Sequence, residues 1–110
     1  MEYRVYYCDF ERDEEIAADG ATPKSVTDIL TLMDRVLTAP GSFLGLMDSA
    51  DGMVQFMVDD DGSIYLDFPS PKERGSYIKH TNLEACKTIV RDADGSLGPG
   101  ETRGLDFDPW

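Results

Sequence analysis

The chain has one histidine, two cysteines and one tryptophan in 110 residues, and residues 36 to 71 contain no lysine or arginine at all. Each scarcity excludes something. Two cysteines as far apart as Cys8 and Cys86 make no disulfide framework, and each reads as a small buried hydrophobe. A lone histidine, His80, leaves little material for a metal centre or a Cys-His catalytic pair. No apolar run approaches the ~18 residues of a membrane span, and Met1-Glu2-Tyr3-Arg4 lacks the basic-then-apolar pattern of a secretory signal, so a cytoplasmic protein without a membrane partner is expected.

What the chain has in excess is negative charge. With 22 Asp and Glu against 10 Lys and Arg, its formal charge is -12. That balance argues against direct binding of nucleic acid, since neutralising phosphates needs a surplus of cations, and it favours a basic partner. The distribution is uneven. Residues 36 to 71 hold six aspartates and no base, whereas residues 72 to 91 hold five bases against two acids. An acidic span without interspersed cations has a field that is not cancelled locally, although acidity also serves plain solubility.

At 41% hydrophobic and 10% aromatic residues the chain has the composition of a globular protein, and residues 1–110 read as one domain. Tyr3 to Cys8 is rich in strand formers, with Tyr3, Val5 and Tyr7 on one face. Residues 9 to 20, with six acids and one arginine, predict an exposed acidic loop. Thr22-Pro23 fits a helix cap followed by proline at the first helical position, and Val26, Ile29, Leu30, Met33 and Leu37 recur at helical spacing up to the stop at Pro40-Gly41.

From Phe43 the period changes to two. Three strands follow, around residues 43–47, 53–58 and 64–68, joined by Asp51-Gly52 and Asp61-Gly62, residue pairs that tolerate the positive φ of tight turns. Pro69-Ser70-Pro71 should break the sheet, and Tyr77 to His80 offers a fourth strand. Thr81 and Glu84 have capping-box spacing before a second helix with Leu83, Cys86, Ile89, Val90 and Ala93 on one side, closed by Gly95. Residues 95–110 form an irregular tail whose Leu105, Phe107 and Trp110 should pack back onto the sheet. The expected fold is α+β, an antiparallel meander of four to five strands packed with two helices.

Catalytic and cofactor templates fail on this sequence. Placing Gly62 at the invariant glycine of a calcium loop puts Met57 and Phe68 at the first and last ligand positions, where neither supplies an oxygen side chain. Cys86 lies on an apolar helix face with no nucleophile turn around it, and the tail glycines match no phosphate-binding fingerprint. No catalytic residue, metal ligand or cofactor site is assigned. The residues singled out for partner binding are Asp59, Asp60, Asp61, Tyr65 and Asp67, in the acidic meander, where alternation puts Asp67 beside Tyr65 on the exposed face.

The order of elements, with Gly41-Ser42-Phe43-Leu44, Asp61-Gly62-Ser63-Ile64-Tyr65-Leu66, Gly75-Ser76-Tyr77 and Phe107-Asp108-Pro109-Trp110, resembles the small α+β immunity proteins of bacterial polymorphic-toxin systems, particularly the first numbered immunity family, over residues 25 to 110. The resemblance implies a cytoplasmic antitoxin that binds one basic cognate toxin domain, of the deaminase or nuclease class, and occludes its active site or substrate groove. No catalytic residue carries over, and the acidic segment at residues 9 to 15 has no counterpart in the family pattern. Two other readings stay open: a nucleic-acid mimic that blocks a defence nuclease, and a small-molecule-binding regulatory domain with an apolar pocket between helix and sheet.

Overall fold

Alternation along the first strand decides where the core lies. Strand β1 (Glu2–Asp9) buries Tyr3 and Val5 on one face while Glu2 and Arg4 stay exposed on the other. The computed structural model describes residues 1–100 and 102–110. In it β1 pairs with three neighbours: β2 (Glu14–Ile16) and β3 (Thr22–Ser25) along one side, and β4 (Phe43–Met47) along the other.

Residues 9 to 20 are exposed as expected, apart from buried Asp9 and half-buried Ile16, but they are ordered as a hairpin and a 3-10 turn rather than a loop. Asp9 is the reason. Its buried carboxylate accepts the backbone N–H groups of Glu11 (3.1 Å) and Arg12 (3.2 Å) and the Arg12 guanidinium (3.2 Å), which organises the reversal. Ion pairs from Arg35 to Glu14 and from Arg12 to Asp9 offset the like charges that favoured a loop.

The start of the first helix also shifts. Thr22-Pro23 belongs to β3, where an edge position tolerates a proline that cannot donate. The cap is Ser25, whose hydroxyl accepts the Asp28 N–H at 3.2 Å, and α1 (Val26–Val36) buries Ile29, Met33 and Val36. It stops before Pro40-Gly41, with the Leu37 N–H bonded to the Met33 carbonyl at 3.0 Å.

The meander follows the expected register through β4, β5 (Met53–Val58), β6 (Ile64–Ser70) and β7 (Gly75–Thr81), every pair antiparallel. Asp51 (φ 66°) and Gly62 (φ 86°) take the positive φ values that the hairpins need. β6 runs through Pro69 and ends at Ser70, so the break expected at Pro69-Ser70-Pro71 falls at Pro71. Pairing with β5 ends at Asp67, so Pro69 and Ser70 behave as edge residues, bonded to β7 alone.

Helix α2 (Leu83–Asp92) is capped by Asn82, one residue later than the capping-box spacing suggested, because Thr81 is still in β7; the Asn82 carboxamide accepts the Ala85 N–H at 2.9 Å. The tail regains order as β8 (Asp106–Pro109), antiparallel to β7. It docks mainly through its backbone: Phe107 stays 45% and Trp110 68% exposed. Among the described residues the sheet thus has eight strands, ordered β2-β1-β4-β5-β6-β7-β8 with β3 beside β1, not four to five. The short strands β2, β3 and β8 have no hydrophobic alternation to announce them.

Both helices pack on one face of this sheet, over Leu44, Leu46, Val54, Phe56, Ile64, Leu66 and Phe68, and Lys87 bridges them by an ion pair to Asp34 at 3.0 Å. Asp48, at the β4–β5 turn, accepts the N–H groups of Ala50 (2.8 Å), Gly52 (2.7 Å) and Leu97 (2.8 Å), which ties the segment after α2 to the sheet. Burial works to raise its carboxyl, but the N–H groups of Leu97, Gly52 and Ala50 and the Arg4 charge outweigh it and hold the group below the usual carboxylate range. No helix is long and apolar enough to cross a membrane among the described residues.

Candidate partner-binding face

The second face of the sheet carries no helix among the described residues. Directly opposed residues in an antiparallel pair share a face, so the register assigns this one. Its middle row runs Tyr6, Gly45, Gln55, Asp67, Ile78 and Asp106 across six strands. On one side of that row lie Arg4, Met47 and Met53, and on the other Cys8, Phe43, Met57, Tyr65 and His80.

Gly45 shapes the middle row. A side chain there would collide with the Tyr6 ring, so the absent Cβ is what lets the tyrosine lie across β4. Tyr6 is buried although it faces away from the core. Burial pushes its hydroxyl up to about 12, and the charge of Asp67 adds to the shift.

Asp67 is half-buried at the centre of this face. Alternation does put it beside Tyr65, but it is less exposed than that pattern suggested: Oδ1 is sealed from solvent and has no hydrogen-bond partner. Burial raises its carboxyl above the usual range; the Ser76 hydroxyl pulls the other way, and the negative charge of Asp108 adds to the rise. Tyr65 is raised in turn, by burial first and then by the charges of Asp67, Asp108 and Asp59. Trp110 Nε1 donates to Ser76 Oγ at 3.1 Å, which brings the indole over the same face at its β8 edge.

The charge on this face is lopsided. Among the described strand residues that share it, Glu2, Glu15, Asp67, Asp106 and Asp108 are acids and Arg4 is the one arginine or lysine. Met47, Met53 and Met57 supply flexible apolar surface, a composition suited to binding because unbranched thioether chains repack against a partner.

The five residues expected to bind a partner fall in two places. Tyr65 and Asp67 are on the open face; Asp59, Asp60 and Asp61 form the β5–β6 turn at the end of the sheet. There Asp61 accepts the Ser63 N–H (2.9 Å) and hydroxyl (2.7 Å), bonds that hold its carboxyl below the usual range, the hydroxyl contributing most. Asp59 pairs with His80 Nε2 at 2.9 Å, and the His80 ring meets Tyr65 edge-on with centroids 5.3 Å apart. His80 is on the open face and Cys86 is buried under α2, so the sheet separates them; burial pushes the Cys86 thiol up to about 12, against the pull of Lys79.

Tyr6, Gln55, Ser76 and Ile78 were not picked out from the sequence. Gly45 was the available signal, since a glycine in mid-strand marks a close approach, but what approaches it comes from the neighbouring strand. A second feature lies on the helical side: an open cleft of about 730 Å³ between α2 and the segment after it, lined by Phe68, Lys79, Ile89, Leu97 and Pro99. No family model, curated protein or solved structure matches the chain.

Proposed function

We propose that this protein is a non-catalytic inhibitor of the immunity type, which binds a basic domain of a nucleic-acid-modifying toxin in the cytoplasm and occludes its active site or substrate groove. The observation that carries the reading is the uncovered sheet face, whose described strand residues set five acids against one arginine around a centre of aromatic and methionine side chains. An acidic surface complements the basic groove of a protein that handles nucleic acid, and it speeds the encounter by long-range attraction. The open face spans six strands, and a protein seated there would make apolar contacts at the methionines and polar ones at the rim.

The test is co-expression with a toxin domain encoded in the neighbouring reading frame. The inhibitor should co-purify with it, abolish its action on nucleic acid, and lose affinity as salt rises. A neighbouring toxin that stays fully active in the presence of excess inhibitor overturns the reading. The cleft beneath α2 favours a second reading, a regulatory domain for a small, largely apolar ligand. That alternative predicts salt-insensitive binding that a bulky substitution at Ala93 blocks.

A further inference from the structure

Among the described residues, strands β4 to β7 carry one charged side chain on the helical side of the sheet. Directly opposed residues share a face, so Lys79 on β7, opposite buried Leu66 on β6, belongs to the side that Leu44, Val54, Phe56 and Phe68 line. Burying an ammonium among such residues is unfavourable unless it reaches water or a partner. Lys79 reaches the cleft between α2 and the segment after it: it is half-buried, lines the opening, and donates from Nζ to the Arg103 carbonyl at 2.9 Å.

That bond holds the ammonium in place without neutralising it. A lysine has three N–H donors, and the carbonyl takes one. Lys79 makes no ion pair among the described residues, although acids outnumber bases 22 to 10 in this chain, whereas Lys87 on α2 is paired with Asp34. Its charge is felt inside the fold, since it pulls the Cys86 thiol down against the rise that burial imposes. Lys79 and all of α2 but its last residue belong to residues 72–91, where five bases stand against two acids, so the overall negative charge is locally reversed.

The rest of the cleft decides what the anion is attached to. At about 730 Å³ it has the size of a small-molecule site, and Phe68, Ile89, Ala93, Leu97 and Pro99 make its lining largely apolar. The later turns of α2 form one side, so the carbonyl end of the helix and Asp92 bring negative charge to the rim. One ammonium facing that rim suits a single negative charge better than a doubly charged phosphate ester. We propose that the cleft binds a small monocarboxylic acid with an apolar body, its carboxylate on the Lys79 ammonium and its body over Phe68, between Ile89 and Pro99. The inference is separate from the inhibitor reading, whose face is on the other side of the sheet; it rests on the cleft of the second reading and gives that ligand a charge and a partner residue. A partly buried ion pair is weakly screened, so binding there stays nearly independent of salt.

The experiment titrates the isotope-labelled full chain with octanoate, with octan-1-ol as the same body without the charge, and with inorganic phosphate as an anion without the body. Amide shifts followed by NMR should concentrate at Lys79, Ile89, Ala93 and Leu97, and octanoate should bind about tenfold more tightly than octanol, the gain of one charge-assisted hydrogen bond. Phosphate should leave these residues unmoved. Lys79→Met should erase the preference for octanoate and Lys79→Arg should keep it. Ala93→Phe, which fills the cleft from α2, should block octanoate, and this arm decides the site if Lys79→Met fails to fold. Octanoate shifts spread over the open face, a preference that survives Lys79→Met, or undiminished binding to Ala93→Phe overturn the proposal. Octanol binding as tight as octanoate overturns the carboxylate but leaves the cleft of the second reading standing, while binding of neither probe removes both.

Discussion

The Tyr6 ring occupies the space in which a Gly45 side chain would stand, so the residue that lines the open face on β1 depends on an absent Cβ on β4. Placing a methyl group there forces the ring off the sheet. Gly45→Ala should cost about 1–3 kcal/mol by overpacking. It should also return the Tyr6 hydroxyl from about 12 toward its ordinary 10, because burial is the main cause of the shift. A phenolate absorbance titration of wild type and variant reads this directly; an unchanged alkaline transition would mean that Tyr6 stays buried.

Asp67→Asn should raise the melting temperature at neutral pH. The folded carboxyl titrates above its unfolded value, mainly through burial, so its contribution is favourable while protonated, below the unfolded pKa, and is lost as pH rises through the folded one. At neutral pH the ionised group therefore costs stability, and the neutral amide removes that cost. The advantage of the variant should shrink as pH is lowered into the carboxylate range. A lower melting temperature at neutral pH would show that the carboxylate is satisfied after all.

Asp48 titrates in the opposite sense. Its folded value is depressed below 3.8, so its contribution is present above the unfolded pKa and is lost as pH falls through the folded one. Asp48→Ala leaves the N–H groups of Ala50, Gly52 and Leu97 without their acceptor, which should destabilise the fold by about 2–4 kcal/mol. Because Leu97 is tied down by this residue, amide exchange should quicken in the segment after α2 before the sheet opens. Protection at Leu97 equal to wild type would rule out that role.

Removing residues 107–110 should lower the melting temperature only modestly. The segment is held by the β7 ladder, by the Trp110 N–H to the Arg74 carbonyl at 2.8 Å and by an edge-on Phe107–Tyr77 contact at 5.2 Å, with both large side chains still partly exposed. The aromatic pair contributes on the order of 1 kcal/mol. A collapse of the cooperative transition would mean that β8 is integral to the core.

Against a basic partner, the turn and the centre of the face should separate kinetically. Asp59→Asn with Asp60→Asn should slow association and flatten its salt dependence, the signature of steering charges, while Asp67→Asn should chiefly speed dissociation. Stopped-flow association at two ionic strengths distinguishes them. Equal effects of all three on association alone would place Asp67 at the rim.

Where burial follows a period, local pattern was enough. The α+β class, the faces of α1 and α2, the strands from Phe43 to Phe68 and the fourth strand at Tyr77 to His80 were legible because side chains two or three to four residues apart must share a face once one side is buried. The charge imbalance was legible for the simpler reason that it is a sum over residues. The short strands β2, β3 and β8 were not, since their pairing comes from backbone bonds to β1 and β7 and their own side chains are mostly exposed. Nor was the open face. Tyr65 and Asp67 could be placed together from one strand, but Tyr6, Gln55 and Ile78 join them only through the registers of four other strand pairs. Which donors an aspartate finds, as Asp48 finds the Leu97 N–H across 49 residues, is a property of what folding brings near it, and no local spacing encodes that.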